Sequence, residues 1–176
     1  MFPGDAATLG AERPAIVMTG SGATRTWGEL NERSLRLANY WHDRGLFVGA
    51  HVALLMENVI EFAEVCWAAE RSGLYYTPIN SHLTPSEVAY IVENSGARAM
   101  VTTTRLWPVL REALAAISAE IDVLCVGDVE GAASYEAALA STGSVVTFTE
   151  TAGQTMLYSS GTTGVPKGCL APFIRP

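Results

Sequence analysis

The sequence predicts an α/β fold with a largely parallel sheet and flanking helices. Three observations carry this. The runs 52–56, 75–79 and 121–126 are short and almost continuously apolar, as strands buried on both faces are. Stretches with helical spacing of apolar residues alternate with them, which is the pattern of a parallel sheet crossed by helices. The helical stretches also carry start and stop signals, so their ends can be placed.

Taken in order, residues 15–18 form a short apolar strand that closes in a turn at Gly20-Ser21-Gly22. This is not a dinucleotide fingerprint, because Arg25 stands at the third glycine position and no helix opens there. Thr26 and Glu29 form a capping-box pattern, and Trp27, Leu30, Leu37, Ala38 and Trp41 recur at helical spacing up to a stop at Gly45. The tryptophans read as core. The strand 52–56 follows, then a helix opened by Asn58 and running through Arg71, with Gly73 at its end. After the strand 75–79, Thr84, Pro85 and Glu87 supply N-cap, first-turn proline and capping partner for a helix that ends at Gly96. Residues 99–101 are a strand, 108–119 a helix, 121–126 a strand and 134–139 a short helix. Met156-Leu157-Tyr158 reads as the end of a buried strand. The connectors 131–133 and 141–144 are too short for domain linkers, and 176 residues fit one domain.

Composition excludes several classes. With 49% hydrophobic residues the chain can build a core. Its net charge is −7, but residues 1–150 hold nine basic and eighteen acidic residues, while residues 151–176 hold Lys167, Arg175 and no acid. The acidic body argues against a nucleic-acid surface and against a polybasic membrane patch. Cys66 and Cys125 read as buried thiols, and no Cys/His cluster suggests zinc, so no metal ligands are assigned. His42, His51 and His82 are scattered and read as ordinary structural histidines. No secretory leader is visible and no apolar run reaches the ~18 residues of a spanning helix, so a cytoplasmic address is expected, with peripheral membrane association left open.

The chemistry concentrates in one run, Tyr158-Ser159-Ser160-Gly161-Thr162-Thr163-Gly164-Val165-Pro166-Lys167-Gly168. Lys167 is the only lysine; the other ten basic residues are arginines. Glycines let backbone approach a ligand closely, successive N–H groups can make an anion-binding concavity, and the four hydroxyls add uncharged donors. Lys167 adds a compact point charge. That inventory suits a polyphosphate. It is not a Walker loop, because Pro166 precedes the lysine and Gly168 follows it, leaving no hydroxyl for magnesium at that position.

The same run resembles the phosphate loop of the AMP-forming adenylating enzymes, which include acyl-CoA synthetases, luciferases and the adenylation domains of peptide synthetases. Every position from Tyr158 to Gly168 fits their signature. Thr26-Trp27-Gly28-Glu29-Leu30 is similar to the family's early Thr-Tyr-x-Glu-Leu segment, and 72–80 with the helix start at 83–87 is similar to its glycine-aromatic-proline segment. The resemblance spans roughly Pro14 to Gly168 in the family's order.

The resemblance implies that residues 1–176 are a partial N-terminal AMP-binding domain, the N-terminal part of the adenylating-enzyme large domain, interrupted after the phosphate loop and without the C-terminal domain. It implies ATP, Mg2+ and coenzyme A, with a carboxylic acid activated as an acyl-adenylate. Ser159, Ser160, Gly161, Thr162, Thr163, Gly164 and Lys167 would contact the ATP phosphates. No catalytic residue is assigned, since the family's catalytic lysine would lie beyond position 176. After Gly168 the sequence departs from the family pattern, so a break in frame, an early stop or a deliberately shortened chain near position 169 is expected. The expected function is an acid–CoA ligase in fatty-acid or related lipid metabolism, the 176 residues alone being inactive. Two alternatives stay open: a non-catalytic nucleotide- or partner-binding module whose open sheet edge pairs with another chain, and a kinase-like phosphotransferase using Asp122 and Asp128 for magnesium.

Overall fold

The computed structural model describes residues 2–159 and 167–170. A short helix α1 (Pro3–Ala7) leads to the antiparallel pair β1 (Pro14–Val17) and β2 (Thr24–Thr26), which forms a separate two-stranded sheet. The expected turn closes it, with the Met18 N–H donating to the Ala23 carbonyl at 2.8 Å and Gly22 at φ +73°. Then come α2 (Trp27–Asp43), β3 (His51–Leu55), α3 (Glu61–Arg71), β4 (Tyr75–Pro78), α4 (Pro85–Ser95), β5 (Ala97–Thr103), α5 (Trp107–Leu114), β6 (Asp122–Val126), β7 (Ala133–Ser134), α6 (Tyr135–Ala140), β8 (Gln154–Ser159) and β9 (Lys167–Leu170).

Among the described residues the main sheet has seven strands in the order β7-β6-β5-β3-β4-β8-β9. All neighbours are parallel except β8 and β9, which are antiparallel. β3 lies at the centre and alternates its side chains between two cores. Val52 and Leu54 join Trp41, Val65, Leu74 and Tyr135 on the side of α2, α3 and α6. Ala53 and Leu55 join Val88, Val92, Met100 and Leu110 on the side of α4 and α5. Burial on both faces is why the run 52–56 shows no polar alternation.

Several boundaries differ from the sequence expectation. The helix expected from Asn58 starts at Glu61, because the Val59 N–H donates to the Glu57 carbonyl and the Phe62 N–H to the Val59 carbonyl in an intervening turn. The helix expected over 108–119 stops at Leu114. Its end tightens through three-residue hydrogen bonds, Ala116 N–H to Ala113 and Ile117 N–H to Leu114. The strand 99–101 extends to Ala97–Thr103. Cys125 is buried as expected, but Cys66 is only half-buried, at the margin of the first core.

One buried carboxylate ties four elements together. Glu64 in α3 is fully buried; Arg25 Nε of β2 donates to it at 2.7 Å, Arg33 Nε of α2 lies 2.8 Å away, and the Tyr135 hydroxyl of α6 donates to it at 2.9 Å. Burial, followed by the Glu64 charge, drives the Tyr135 phenol well above its usual range, so it remains a donor. Removing one side of such a cluster leaves buried charge unpaired. Glu64→Ala is therefore expected to cost about 3–5 kcal/mol, read as a lowered midpoint in urea unfolding.

Candidate functional site

The described flanks of the Gly/Ser/Thr run, Ser159 and Lys167, sit at the carboxyl end of the parallel strands, where open α/β sheets bind ligands. β8 enters the sheet through Gln154↔Tyr75 and Thr155↔Tyr76 and ends at Ser159. β9 begins at Lys167, and Ser159 and Lys167 face each other across the antiparallel ladder. The residues flanking the run are thus cross-strand neighbours, with Cα atoms about 4.5–5.5 Å apart. Both are exposed. None of the ion pairs among the described residues involves Lys167. Ser160, Gly161, Thr162, Thr163 and Gly164 lie outside the described residues.

The end of β8 is less enclosed than the sequence suggests. Met156 is buried, but Leu157 is 55% exposed and Tyr158 is half-buried. The strand lies beyond β4 at the sheet margin, and its pairing with β4 stops at Thr155. Tyr158 turns towards α4, where its hydroxyl donates to Asn94 Oδ1 at 2.7 Å. Partial burial, with Tyr90 second, raises the phenol above its ordinary value. Gly168 lies opposite Tyr158, and a Cβ there would sit 2.6 Å from Met156 Cε and 3.1 Å from Tyr158 Cζ. The motif glycine therefore makes room for the motif tyrosine.

The approach to β8 is fixed by the corner where α3 ends. Thr151 and Gly153 donate their N–H groups to the carbonyls of Arg71 and Glu70, and Gln154 donates to Leu74. Arg71, 2% exposed, bridges Glu150 at 2.6 Å and donates to Asn31 and Ser34 of α2. Beside it, Tyr76 donates to Glu70 at 3.0 Å, with Cys66 adjacent on α3.

Connections from β3 and β5 leave in opposite directions along the sheet, so the point between them is the topological switch. A polar crevice of about 260 Å³ opens there, lined by Glu57, Asn58, Ser81, His82 and Arg105 among others. It lies two to three strand spacings from β8, about 12 Å. None of these residues had a site role in the sequence: Asn58 read as a helix start and His82 as an ordinary histidine.

Asp122 and Asp128 cannot share a metal ion. Asp122 opens β6, close to Arg44 and Tyr40, whereas Asp128 follows the strand's other end. No group of three His, Cys, Asp or Glu residues among the described residues could hold a metal. His42 packs between Phe47 and Phe148 and His51 stacks on Tyr75, both structural roles. No helix among the described residues is long and apolar enough to cross a membrane.

Comparison with known proteins agrees with this geometry. A family model described as AMP-binding enzyme matches residues 4–172. The chain is 32% identical over 166 residues to the long-chain-fatty-acid–CoA ligase FadD13 of Mycobacterium tuberculosis, covering 92% of this chain and 32% of that protein. It is 30% identical over 153 residues to the crotonobetaine/carnitine–CoA ligase of Salmonella paratyphi A, covering 81% of this chain and 29% of that one. It spans about a third of the length of these curated relatives. Among solved structures, the inhibitor-bound N-terminal domain of FACL13 from Mycobacterium tuberculosis superposes with a TM-score of 0.79 at 28% identity, over 94% of this chain and 42% of that one.

Two outcomes follow from the corner at α3. A Cβ on Gly153 would lie 2.5 Å from the Leu74 carbonyl oxygen and 2.6 Å from that of Ala69. Backbone cannot yield as a side-chain tip does, so Gly153→Ala should cost about 1–3 kcal/mol in urea unfolding and speed amide exchange along β8. The second outcome concerns pH. Burial, then Glu70, pushes the Cys66 thiol from 9.0 to about 12, and burial chiefly pushes the Tyr76 phenol from 10.0 to about 12. Between pH 9 and 12 the unfolded chain has lost protons that the folded chain keeps, so stability falls as pH rises. Thermal midpoints should decline across that window. Cys66→Ala should flatten the earlier part and Tyr76→Phe the part above pH 10.

Proposed function

The chain belongs to the AMP-binding enzyme family, and from that premise we propose that residues 1–176 form the phosphate-holding N-terminal part of an AMP-forming acid–CoA ligase. In the proposed reaction a carboxylate oxygen attacks the α-phosphorus of ATP, the bond to the β-phosphate breaks, and pyrophosphate leaves. The thiol of coenzyme A then attacks the acyl-adenylate carbonyl and AMP leaves. The part assigned to this chain is the first departure: Ser159, Ser160, Gly161, Thr162, Thr163, Gly164 and Lys167 hold the β- and γ-phosphates and offset the charge that develops on pyrophosphate. Preorganised donors of this kind supply a large share of such catalysis.

One observation carries the reading. Ser159 and Lys167 are direct neighbours across β8 and β9 at the carboxyl end of the sheet, which brings a hydroxyl and an ammonium with no ion pair among the described residues to the two ends of the glycine-rich run. Fatty or related carboxylic acids are the proposed substrates, supported by the resemblance in sequence and by the similarity to a long-chain-fatty-acid–CoA ligase. Magnesium, which the resemblance brings with ATP, meets no set of protein ligands among the described residues, and we assign it none.

A second reading, binding without catalysis, is favoured by the ribbon of β8 and β9, where Leu157 and Cys169 are exposed opposite each other. ATP binding separates the ligase reading from a ribbon that only pairs with another chain, which would bind none. The ligase reading expects the isolated 176 residues to bind ATP in calorimetry and to form no acyl-CoA above background from ATP, a fatty acid and coenzyme A. Lys167→Ala should weaken ATP binding about tenfold or more, the scale of one lost charge-assisted hydrogen bond. An unchanged affinity in that variant would remove Lys167 from the site.

A further inference from the structure

β8 is restrained in two different ways along its length. At its start it is a sheet strand, paired with β4 through Gln154 and Thr155. From Met156 onward its backbone partner among the described residues is β9 alone. The Ser159 and Lys167 end is therefore a two-stranded ribbon projecting past the parallel sheet, and such a ribbon is marginal without further packing. Its setting must come from side chains.

On the α4 side Tyr158 contributes to that setting. Tyr158 packs against the second apolar core and donates its hydroxyl to Asn94 Oδ1 at 2.7 Å. Asn94 is exposed, stands in the last turn of α4, and belongs to none of the motifs that marked the site. We propose that Asn94 is a positioning residue for phosphate binding: by holding the Tyr158 hydroxyl it sets the angle at which Ser159 and Lys167 face the ligand. This rests on reading that run as the ATP-phosphate site. A phenylalanine at position 158 would offer Asn94 nothing. The tie therefore belongs to this particular pair of residues.

The test uses the 176-residue chain, with Asn94→Ala, Tyr158→Phe, the double variant and Asn94→Asp. Two quantities are read: the calorimetric Kd for ATP, and amide exchange in the ribbon relative to β3. Each single variant should raise Kd about two- to tenfold, the range of one net hydrogen bond, and speed ribbon exchange while β3 stays protected. The double variant should be no worse than either single, because both remove the same interaction. Asn94→Asp keeps an acceptor oxygen and should restore ribbon protection. Unchanged ribbon exchange in Asn94→Ala would overturn the proposal. So would faster exchange with unchanged Kd, or additive effects in the double variant. If the unsubstituted chain binds no ATP, the phosphate-site reading fails on its own, and ribbon exchange alone decides whether Asn94 sets the ribbon.

Discussion

The candidate site depends on how the corner between α3 and β4 seizes the chain at residues 151–154. A helix leaves its last carbonyls without partners inside the helix. Here the carbonyls of Glu70 and Arg71 are taken by the N–H groups of Gly153 and Thr151, and the Leu74 carbonyl, at the foot of β4, by Gln154. The fit tolerates no side chain at position 153, where backbone oxygens close in on the glycine Cα. Arg71 reinforces the corner from inside. A buried guanidinium is costly unless its donors are matched, and this one is shared among Glu150, the Asn31 carbonyl and side chain, and Ser34. That network also draws α2 into the same joint. β8 is thus aimed before its ladder contributes, and that ladder has only two pairs with β4.

The central frame was legible because its signals are local. Thr26 with Glu29 and Thr84 with Glu87 form the capping boxes their spacing suggests, and Gly96 ends α4 in the left-handed region at φ +67°. The continuous apolar run at β3 follows from burial on both faces. What could not be read depends on distant partners. Leu157 looks as apolar as Leu54, yet one is exposed and the other sealed. The difference is how many strands and helices lie beside each, which no window of sequence contains. The start of α3 was misplaced because Asn58 has the chemistry of a cap while the turn over 57–62 spends those residues first.

The site was legible to a similar depth. Ser159 and Lys167 stood out by composition, since a single lysine in an arginine-rich chain attracts notice. That they face each other did not, because it requires β9 to reverse direction. Asn94 gave no signal at all. It is an ordinary polar residue near a helix end, 64 positions from the tyrosine it holds. Arg71 and Glu150, 79 positions apart, were equally silent.

The reversal at β9 also changes the source of positive charge. In mononucleotide folds the phosphate loop opens into a helix, whose N-terminus supplies unpaired N–H groups and a partial positive charge. Here the element after the run is a strand, starting at Lys167 itself. Strands carry little net dipole. On the proposed reading, a polyphosphate held there would meet no helix terminus among the described residues, and the full charge of Lys167 would do what a half-charge of the backbone does elsewhere. This accounts for two features of the sequence together: hydroxyl donors crowded into the run, and the chain's only lysine at the first position of the returning strand. An arginine there would bring a broad, planar fork to a place where the neighbouring strand carries Ser159 directly opposite. A compact ammonium on a flexible stem can reach past that hydroxyl to the phosphates, which is a physical reason for lysine where the rest of the chain uses arginine.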